Sequence, residues 1–528
     1  MILARLVTGL VCILLVTVGQ SAYGATAAEL RRAVDIQKRI GELVREQAAI
    51  TSQLSRINEA ILPATSETAR ASLEAERRNL QTRLESNLRE RATLRTEFEA
   101  LPSLAQQQAT APVGSLGPLD PQGLRPLSVA GGDQGQVTNP TAFNPAISVI
   151  PDFAYFRDNR TGASAALAGQ ADGFQGAGAG AAEDLTEGFN LREAELAFTA
   201  AIDPYFDAAA FFAVGDGGID PEEVYFQTRR LPAGLQMRGG KFRSGIGYIN
   251  RQHPHQWDFV DQNLAYALLV GGEGLAEKGV QLSWLPTTPF YLLLGGELLQ
   301  GENEQFANYI GPEEFPGLGP GDASRTLSHQ AGPRLFTGFM KLSPNMGYSH
   351  AMQVGLSVAS SRKHQEVHDD DGDGLPESVL DGTATLWGLD FVYKYDSPRQ
   401  YGAGDLTLQS EYLYRKRALE VLGTSRTETF KNDGFYLQAV YGFLPRWQVA
   451  GRVAAAGVTN TWVDGTTSMQ WNTSTQYSEA LTFNPTEFSR LRLQFNQGRV
   501  WVGSEAETFH QFFVQFQMSM GAHGAHRF

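Results

Sequence analysis

Residues 512–520 read FFVQFQMSM and alternate between two kinds of side chain. Phe512 and Phe516 fall on one side of an extended chain and Gln515 and Gln517 on the other, because successive side chains of a strand point to opposite faces. The chain ends eight residues later on an aromatic residue. This pattern predicts a strand with one apolar and one polar face close to the carboxyl terminus.

The same alternation recurs from about residue 145 onward. It is sharpest in FSRLRLQFN at 488–496, where Leu491 and Leu493 alternate with Arg490 and Arg492. Alternation of this kind is typical of half-buried strands. We predict sixteen strands, near residues 147–157, 191–202, 206–215, 222–231, 235–243, 279–285, 290–300, 335–343, 350–361, 384–395, 405–416, 432–443, 446–457, 477–484, 487–497 and 508–520.

The connections between these strands differ at the two ends of the predicted sheet. Connections from even to odd strands are mostly short and all contain proline, whereas several from odd to even strands are long and polar. Outer-membrane barrels show this asymmetry, with tight periplasmic turns and long external loops. We therefore predict an all-β transmembrane barrel of about 16 antiparallel strands, whose last strand seals against the first and leaves no edge in lipid.

The amino-terminal part of the chain has a different composition. Residues 1–24 have a positive start, an apolar core and a small-residue cleavage site, which predicts a secretory signal peptide. The single cysteine of the 528 residues lies there, so a mature protein without thiols is expected, as suits a bacterial envelope protein. The predicted domains that follow are a helical region at 25–101, a flexible linker at 102–140 and the barrel at 141–528.

Residues 25–101 carry apolar residues at heptad spacing, interrupted at Pro63. The two halves have similar lengths, roughly 50 Å each at a rise of about 1.5 Å per residue. Equal halves around a short turn favour an antiparallel coiled-coil hairpin, which would lie in the periplasm. A parallel oligomeric coil would leave similar heptads, so that alternative stays open.

Five stretches of the chain resemble one type of outer-membrane porin. They are FNPAISVI, GGKFRSGIGYINRQHPH, GVQLSWL, FNPTEFSRLRLQF and the closing GAHGAHRF. Together with the order of signal, coil, linker and barrel, they are similar to the phosphate-selective porin O/P family, over about residues 145–528. The resemblance implies a sixteen-stranded, homotrimeric barrel in which arginine and lysine line the pore. It does not specify the solute.

The polar faces of the strands supply candidate pore-lining residues. By alternation, the inward basic residues are Arg229, Arg238, Lys394, Arg415, Arg452, Arg490 and Arg492. Inward acids accompany them, namely Glu193, Glu195, Asp390 and Glu411. Guanidinium groups suit phosphate or carboxylate, which favours an anion-leaning lumen. A mixed-charge lumen that simply stays wet is the alternative, because polar interiors are usual in such barrels.

The connection at 244–278 is long and partly apolar, which is unusual for a loop in water. Its NLAYALLVGGEG stretch would bury well against the inner wall, so we predict that it folds into the pore as a constriction. The candidate filter residues are Arg251, His253, His255, Asp258 and Asp261. The two histidines could also hold a metal, but a metal site needs further ligands that the sequence does not place.

One external connection contains part of a calcium-binding motif, HDDDGDGLPES at 368–378. Alternate carboxylates can converge on a hard cation, and the candidates are Asp369, Asp371, Asp373 and Glu377. The acid expected at the twelfth position and the flanking helices are missing, so a solvated acidic tip is the alternative. Apart from this Ca²⁺, no cofactor is expected.

These features predict a channel rather than an enzyme. The chain has no nucleophile elbow, phosphate loop or metallohydrolase motif, and a net charge of −14 without a basic tract argues against nucleic acid. We expect an outer-membrane porin for passive diffusion of small hydrophilic solutes. The alternatives are a TonB-dependent-receptor-like or metal-related transporter and a structural protein that tethers the envelope. Expected partners are outer-membrane lipid and lipopolysaccharide, further copies in a homotrimer, and the barrel-insertion machinery through Phe528.

Overall fold

The computed structural model describes the barrel region and part of the amino-terminal helices. The described residues are 67–99, 146–160, 169–174, 185–215, 218–229, 231–314, 326–347, 349–368, 378–503 and 505–521, with single helical positions 39, 43, 50, 53 and 57. The predicted signal peptide, the linker, the calcium candidates and Phe528 lie outside these residues. For those segments, the statements made from the sequence stay predictions.

Sixteen antiparallel strands form the wall of a closed barrel, as predicted. They are β1 (Ala146–Asp158), β2 (Gly188–Ala201), β3 (Phe206–Gly215), β4 (Gly218–Thr228), β5 (Leu235–Arg243), β6 (Ala276–Trp284), β7 (Tyr291–Leu299), β8 (Leu335–Ser343), β9 (His350–His368), β10 (Ser378–Tyr395), β11 (Leu406–Val421), β12 (Thr427–Leu444), β13 (Trp447–Asp464), β14 (Ser474–Thr486), β15 (Ser489–Val502) and β16 (Glu505–Met518). Two short strands, Thr467–Gln470 and Met520–Gly521, extend the sheet beside β13 and β1.

The first and last wall strands close the barrel. β1 pairs with β2 on one side and with β16 on the other, where Phe153 lies opposite Phe516 and Asp158 lies opposite Gln511. Each remaining wall strand pairs with its two neighbours in chain order. The backbone hydrogen bonds of the wall are therefore satisfied within the sheet, which a membrane-spanning structure requires.

The alternating sequence places apolar side chains on the outer face of the wall. In β15, Leu491, Leu493 and Phe495 are about 40% exposed, whereas Arg492 and Gln494 between them are buried. Exposed apolar side chains recur around the wall, for example Val224, Leu282, Leu356, Leu389, Leu437, Val453 and Phe516. Such a surface suits hydrocarbon rather than water, so the chain forms a transmembrane β-barrel.

Wall strands β9 to β16 all extend beyond the predicted bounds at the external end, and β9 and β10 are an example. The external connection was expected to span 362–383, but β9 continues to His368 and β10 begins at Ser378. These extensions lack the apolar outer residues that made the membrane part of each strand visible in the sequence. Three other connections on this end are long, at 159–187, 244–275 and 300–334.

The described helices are few. They are α1 (Glu67–Glu99), α2 (Leu264–Leu269) and α3 (Gly311–Glu314), with 3₁₀ turns at Pro232–Gly234, Ile249–Arg251, Pro254–Gln256 and Gln400–Gly402. None of the helices in the described part of the chain is long and apolar enough to cross a membrane.

The amino-terminal unit contains α1 and earlier helical positions that contact it. The Asn87 side chain donates a hydrogen bond of 2.9 Å to the carbonyl of Leu43, and Arg39 pairs with Glu90 at 2.9 Å. Buried apolar residues between these segments are Ile50, Ile57 and Leu80. Earlier residues contact later ones in reverse order, which is the arrangement of antiparallel helices. The coiled-coil hairpin and its periplasmic location stay predictions.

Candidate functional site

The connection between β5 and β6, residues 244–275, lies inside the barrel. We call it the inner segment. Its helix α2 packs against β11, β12 and β13, and each residue from Leu264 to Val270 is at most 1% exposed. Gly434 on β12 permits this approach, because a Cβ there would lie 2.9 Å from the Cβ of Ala265. The apolar stretch predicted to bury against the wall therefore does so.

Asn250 holds the two ends of the inner segment together. Its Nδ2 donates to the carbonyls of Ser244 and Leu275 at 2.9 and 3.0 Å, and its Oδ1 accepts from the Leu275 amide at 2.6 Å. A glycine is needed at position 274, next to Asn250. The φ of Gly274 is +82°, and a Cβ on this residue would lie 2.4 Å from Asn250 Oδ1. One buried amide thus fixes where the segment leaves and rejoins the wall.

Asp261 anchors the segment to the far wall. Its carboxylate forms an ion pair with Arg452 on β13 at 2.6 Å, and Arg452 also donates to its carbonyl at 2.8 Å. The same carboxylate accepts bonds from the side-chain amides of three residues on β14 and β15, namely Gln476, Gln494 and Asn496. Charge-assisted bonds are the strong ones, so Asp261 is the strongest polar anchor of the segment on this side.

A second anchor lies on the wall between the ends of the segment and the Asp261 anchor. Lys341 on β8 donates to the carbonyl of Gly247 at 2.6 Å and pairs with Asp390 on β10 at 2.6 Å. Glu411 on β11 accepts from the amide of Ile249 at 2.8 Å. The inner segment is therefore held across the lumen rather than along one wall.

The predicted basic residues face inward, but most of them bind the segment instead of lining open water. Arg415 donates to the carbonyl of Leu268 at 3.3 Å, and Arg492 donates to the carbonyl of Trp257 at 3.0 Å. Arg238, Arg415, Arg452 and Arg492 are all buried. This corrects the expectation of a wet wall at these four positions. Arg415, Arg452 and Arg492 are covered because carbonyl groups of the inner segment need donors inside the barrel, whereas Arg238 donates to the Gln227 side chain on β4.

Three of the basic candidates remain partly exposed. Arg229 pairs with Asp207 at 3.3 Å, and Arg490 donates to the carbonyls of His255 and Trp257, both at 3.3 Å. Lys394, at the end of β10, is the third. All three lie next to short turns of the barrel, so the partly exposed members of the predicted basic set lie at the short-turn mouth.

His253 lies in a cluster of carboxylates from β2 and β4. Its Nδ1 is 3.0 Å from both Glu195 Oε2 and Glu222 Oε2, and its Nε2 is 2.8 Å from Glu223 Oε1. His255 Nδ1 lies 3.1 Å from Glu195 Oε2. Burial disfavours the charged imidazole, but Glu195 and Glu222 outweigh it and raise the pKa of His253 well above its usual range.

The partners of His253 were not predicted as a site. Glu195 was noted only as an inward acid, and Glu222 and Glu223 were not singled out. One sequence signal could have found them: two consecutive acids in a strand break its alternation. The structure resolves this with a register shift opposite Phe211 and Phe212 on β3, which lets both carboxylates turn inward.

The remaining filter candidates lie in the first half of the inner segment. Asp258 accepts a hydrogen bond from Gln438 on β12 at 2.9 Å. Arg251 ends a 3₁₀ turn and is partly exposed. Their predicted roles in transport stay predictions.

The site and fold together define a transmembrane barrel with a segment folded across its lumen. Solved structures with a similar arrangement of the chain include the outer membrane channel DcaP of Acinetobacter baumannii, with 10% identity, a TM-score of 0.41, and coverage of 71% of this chain and 96% of that one. An anion-selective porin from Comamonas acidovorans has 10% identity, a TM-score of 0.39, and coverage of 71% and 99%. OprB of Pseudomonas putida has 11% identity, a TM-score of 0.41, and coverage of 71% and 94%.

No protein-family model matches the chain. It is 37% identical over 398 residues to a protein of Aquifex aeolicus (strain VF5), described as an uncharacterized protein. The alignment covers 73% of this chain and 80% of that relative. The chain therefore belongs to the same family as the Aquifex aeolicus protein.

Proposed function

We propose that this chain forms an outer-membrane channel for passive diffusion of small hydrophilic solutes. The observation that carries the proposal is the inner segment, which is anchored by polar bonds across a closed barrel with an apolar outer face. A segment in this position limits what can pass, because any solute must move between it and the wall.

Single-channel recording in planar bilayers tests this function. Purified full-length protein, shown to be folded by a mobility change on heating in gels, should give discrete conductance steps. Liposomes that contain it should swell in small sugars and resist larger ones. A folded barrel that gives neither steps nor swelling would contradict the proposal.

A preference for anions is the finer part of the proposal, and phosphate is the case suggested by the resemblance to the porin O/P family. Its support is the basic charge of Arg229, Lys394 and Arg490 at the short-turn mouth. The partly exposed Asp258 works against it, and so do the acids beside the short turns, Asp203, Asp396, Asp405 and Glu487. Reversal potentials measured in a potassium chloride gradient should show greater permeability for chloride than for potassium. A greater permeability for potassium would contradict the proposed preference for anions.

A structural barrel that does not conduct is the second candidate. It is favoured by the burial of the inward side chains of β11, for example Gln409, Glu411, Arg415 and Arg417, each at most 2% exposed. The bilayer recording separates the two functions. The homotrimer also remains a proposal, and chemical cross-linking of the protein in native membranes would test it.

A further inference from the structure

Three side chains from separate parts of the chain place potential metal ligands around one point. The Nδ1 atom of His253 and one carboxylate oxygen each of Glu195 and Glu222 all lie within 4.8 Å of one another. Nδ1 is 3.0 Å from each of the two nearest oxygens. Ligands about 2.0–2.2 Å from a tetrahedral zinc ion lie roughly 3.3–3.6 Å apart. The spacing therefore needs only a small expansion to admit an ion.

Two of the potential ligands have hydrogen-bond partners of the kind that orient metal ligands in proteins. The other ring nitrogen of His253 lies 2.8 Å from Glu223, so its N–H can donate to a carboxylate. Arg243 donates to the second oxygen of Glu222 at 2.9 Å. Ligating histidines usually donate their free N–H to a carboxylate or carbonyl, and ligating carboxylates are themselves hydrogen-bonded. Two of the three ligands thus have the support that a metal site needs.

Glu195 gives an independent indication of a ligand. It is 0% exposed, and within the described part of the chain neither of its carboxylate oxygens accepts a hydrogen bond of good geometry. The Nδ1 position of His253 is directed at Glu222 rather than at Glu195. The two imidazoles next to Glu195 offset its buried charge without well-formed hydrogen bonds, and a coordinated cation would supply direct bonds to its oxygens.

We propose that Glu195, Glu222 and His253 bind a divalent first-row transition-metal ion such as Zn²⁺, which fastens the inner segment to β2 and β4. Mixed imidazole and carboxylate ligands suit this class of ion. On binding, the proton at Nδ1 of His253 leaves to solvent, the Nδ1 lone pair coordinates the ion, and Nε2 keeps its proton for Glu223. This site does not depend on whether the barrel conducts.

Metal titration of the folded, full-length protein tests the proposal. After removal of metals by a chelator, Co²⁺ should produce visible absorption bands at one ion per chain, and Zn²⁺ should bind with the same stoichiometry by calorimetry. Glu195→Gln and His253→Gln should each weaken binding by at least about 10-fold. Glu366→Gln is the matched control, because Glu366 also contacts two histidines, at 2.7 and 2.8 Å, and should leave binding unchanged.

Two further measurements keep the result decisive if a variant fails to fold. X-ray absorption of the Zn²⁺-loaded unaltered chain should show imidazole together with oxygen ligands, and oxygen ligands alone would overturn the proposal. The closing GAHGAHRF contains two further histidines that could bind Zn²⁺, so the double variant His523→Ala and His526→Ala is a control and should bind as the unaltered chain does. If that variant loses the ion, or if the unaltered protein gives neither cobalt bands nor heat with Zn²⁺, the proposed site is wrong.

Discussion

At the scale of single residues, the interior of this barrel depends on charges that are buried in pairs. Lys341 and Asp390 form an ion pair in which neither residue is more than 1% exposed. Lys341 also donates to Gly247, so it joins two wall strands to the inner segment. A buried ion pair adds little net stability to the fold, but the loss of one partner leaves the other charge buried and unpaired, which is strongly destabilising.

Lys341→Met should therefore lower the free energy of unfolding by about 3–5 kcal/mol, because Asp390 remains buried and unpaired. Urea unfolding of the detergent-solubilised protein, followed by tryptophan fluorescence, measures the change. Lys278→Met is the control, since Lys278 pairs with Glu302 on the surface and should matter by less than about 1 kcal/mol. Equal effects of the two substitutions would contradict this account of the interior.

At the scale of elements, the inner segment is the part whose attachment governs the lumen. Asp261→Ala removes the acceptor for Arg452 and for three side-chain amides. The loss of one partner of a buried ion pair costs about 3–5 kcal/mol, which shifts the docking equilibrium of the segment by about 100-fold or more at about 1.4 kcal/mol per factor of ten. We expect larger and noisier conductance steps in planar bilayers.

The control for this variant is Asp381→Ala. Asp381 pairs with Lys363 at 2.6 Å and accepts from Ser328, so it does not contact the inner segment. Its loss should leave conductance unchanged. If Asp261→Ala leaves conductance unchanged as well, the anchored segment does not limit the channel.

The sequence predicts the elements of this barrel much better than it predicts its interior. Wall strands repeat a two-residue period wherever one face meets lipid, so β15 is evident from Leu491 and Leu493 alone. Partners inside the lumen have no such period. The cluster at His253 combines β2, β4 and the inner segment, and no spacing in the chain shows that Glu222 faces that histidine.

At the scale of the whole molecule, the chain divides into two units, Met1–Gly114 and Ser115–Phe528. Deletion of residues 25–101 removes no part of the wall or of the inner segment. The truncated protein should therefore still change mobility on heating in gels and show unchanged conductance, because the sheet closes by its own hydrogen bonds. A truncated chain that no longer folds would show that the helices take part in barrel assembly.

The bonds of Asp261 also constrain when the inner segment can dock during assembly of the barrel. Its ion-pair partner lies 191 residues later in the chain, and Asn496 lies 235 residues later. During export, the inner segment is therefore present long before the strands that hold it, and closing such large chain loops is slow. A sheet that curled shut without the segment would enclose Lys341, Glu411 and Arg452 with unmet bonds. We expect the last strand to seal and the segment to dock in one cooperative, rate-limiting step.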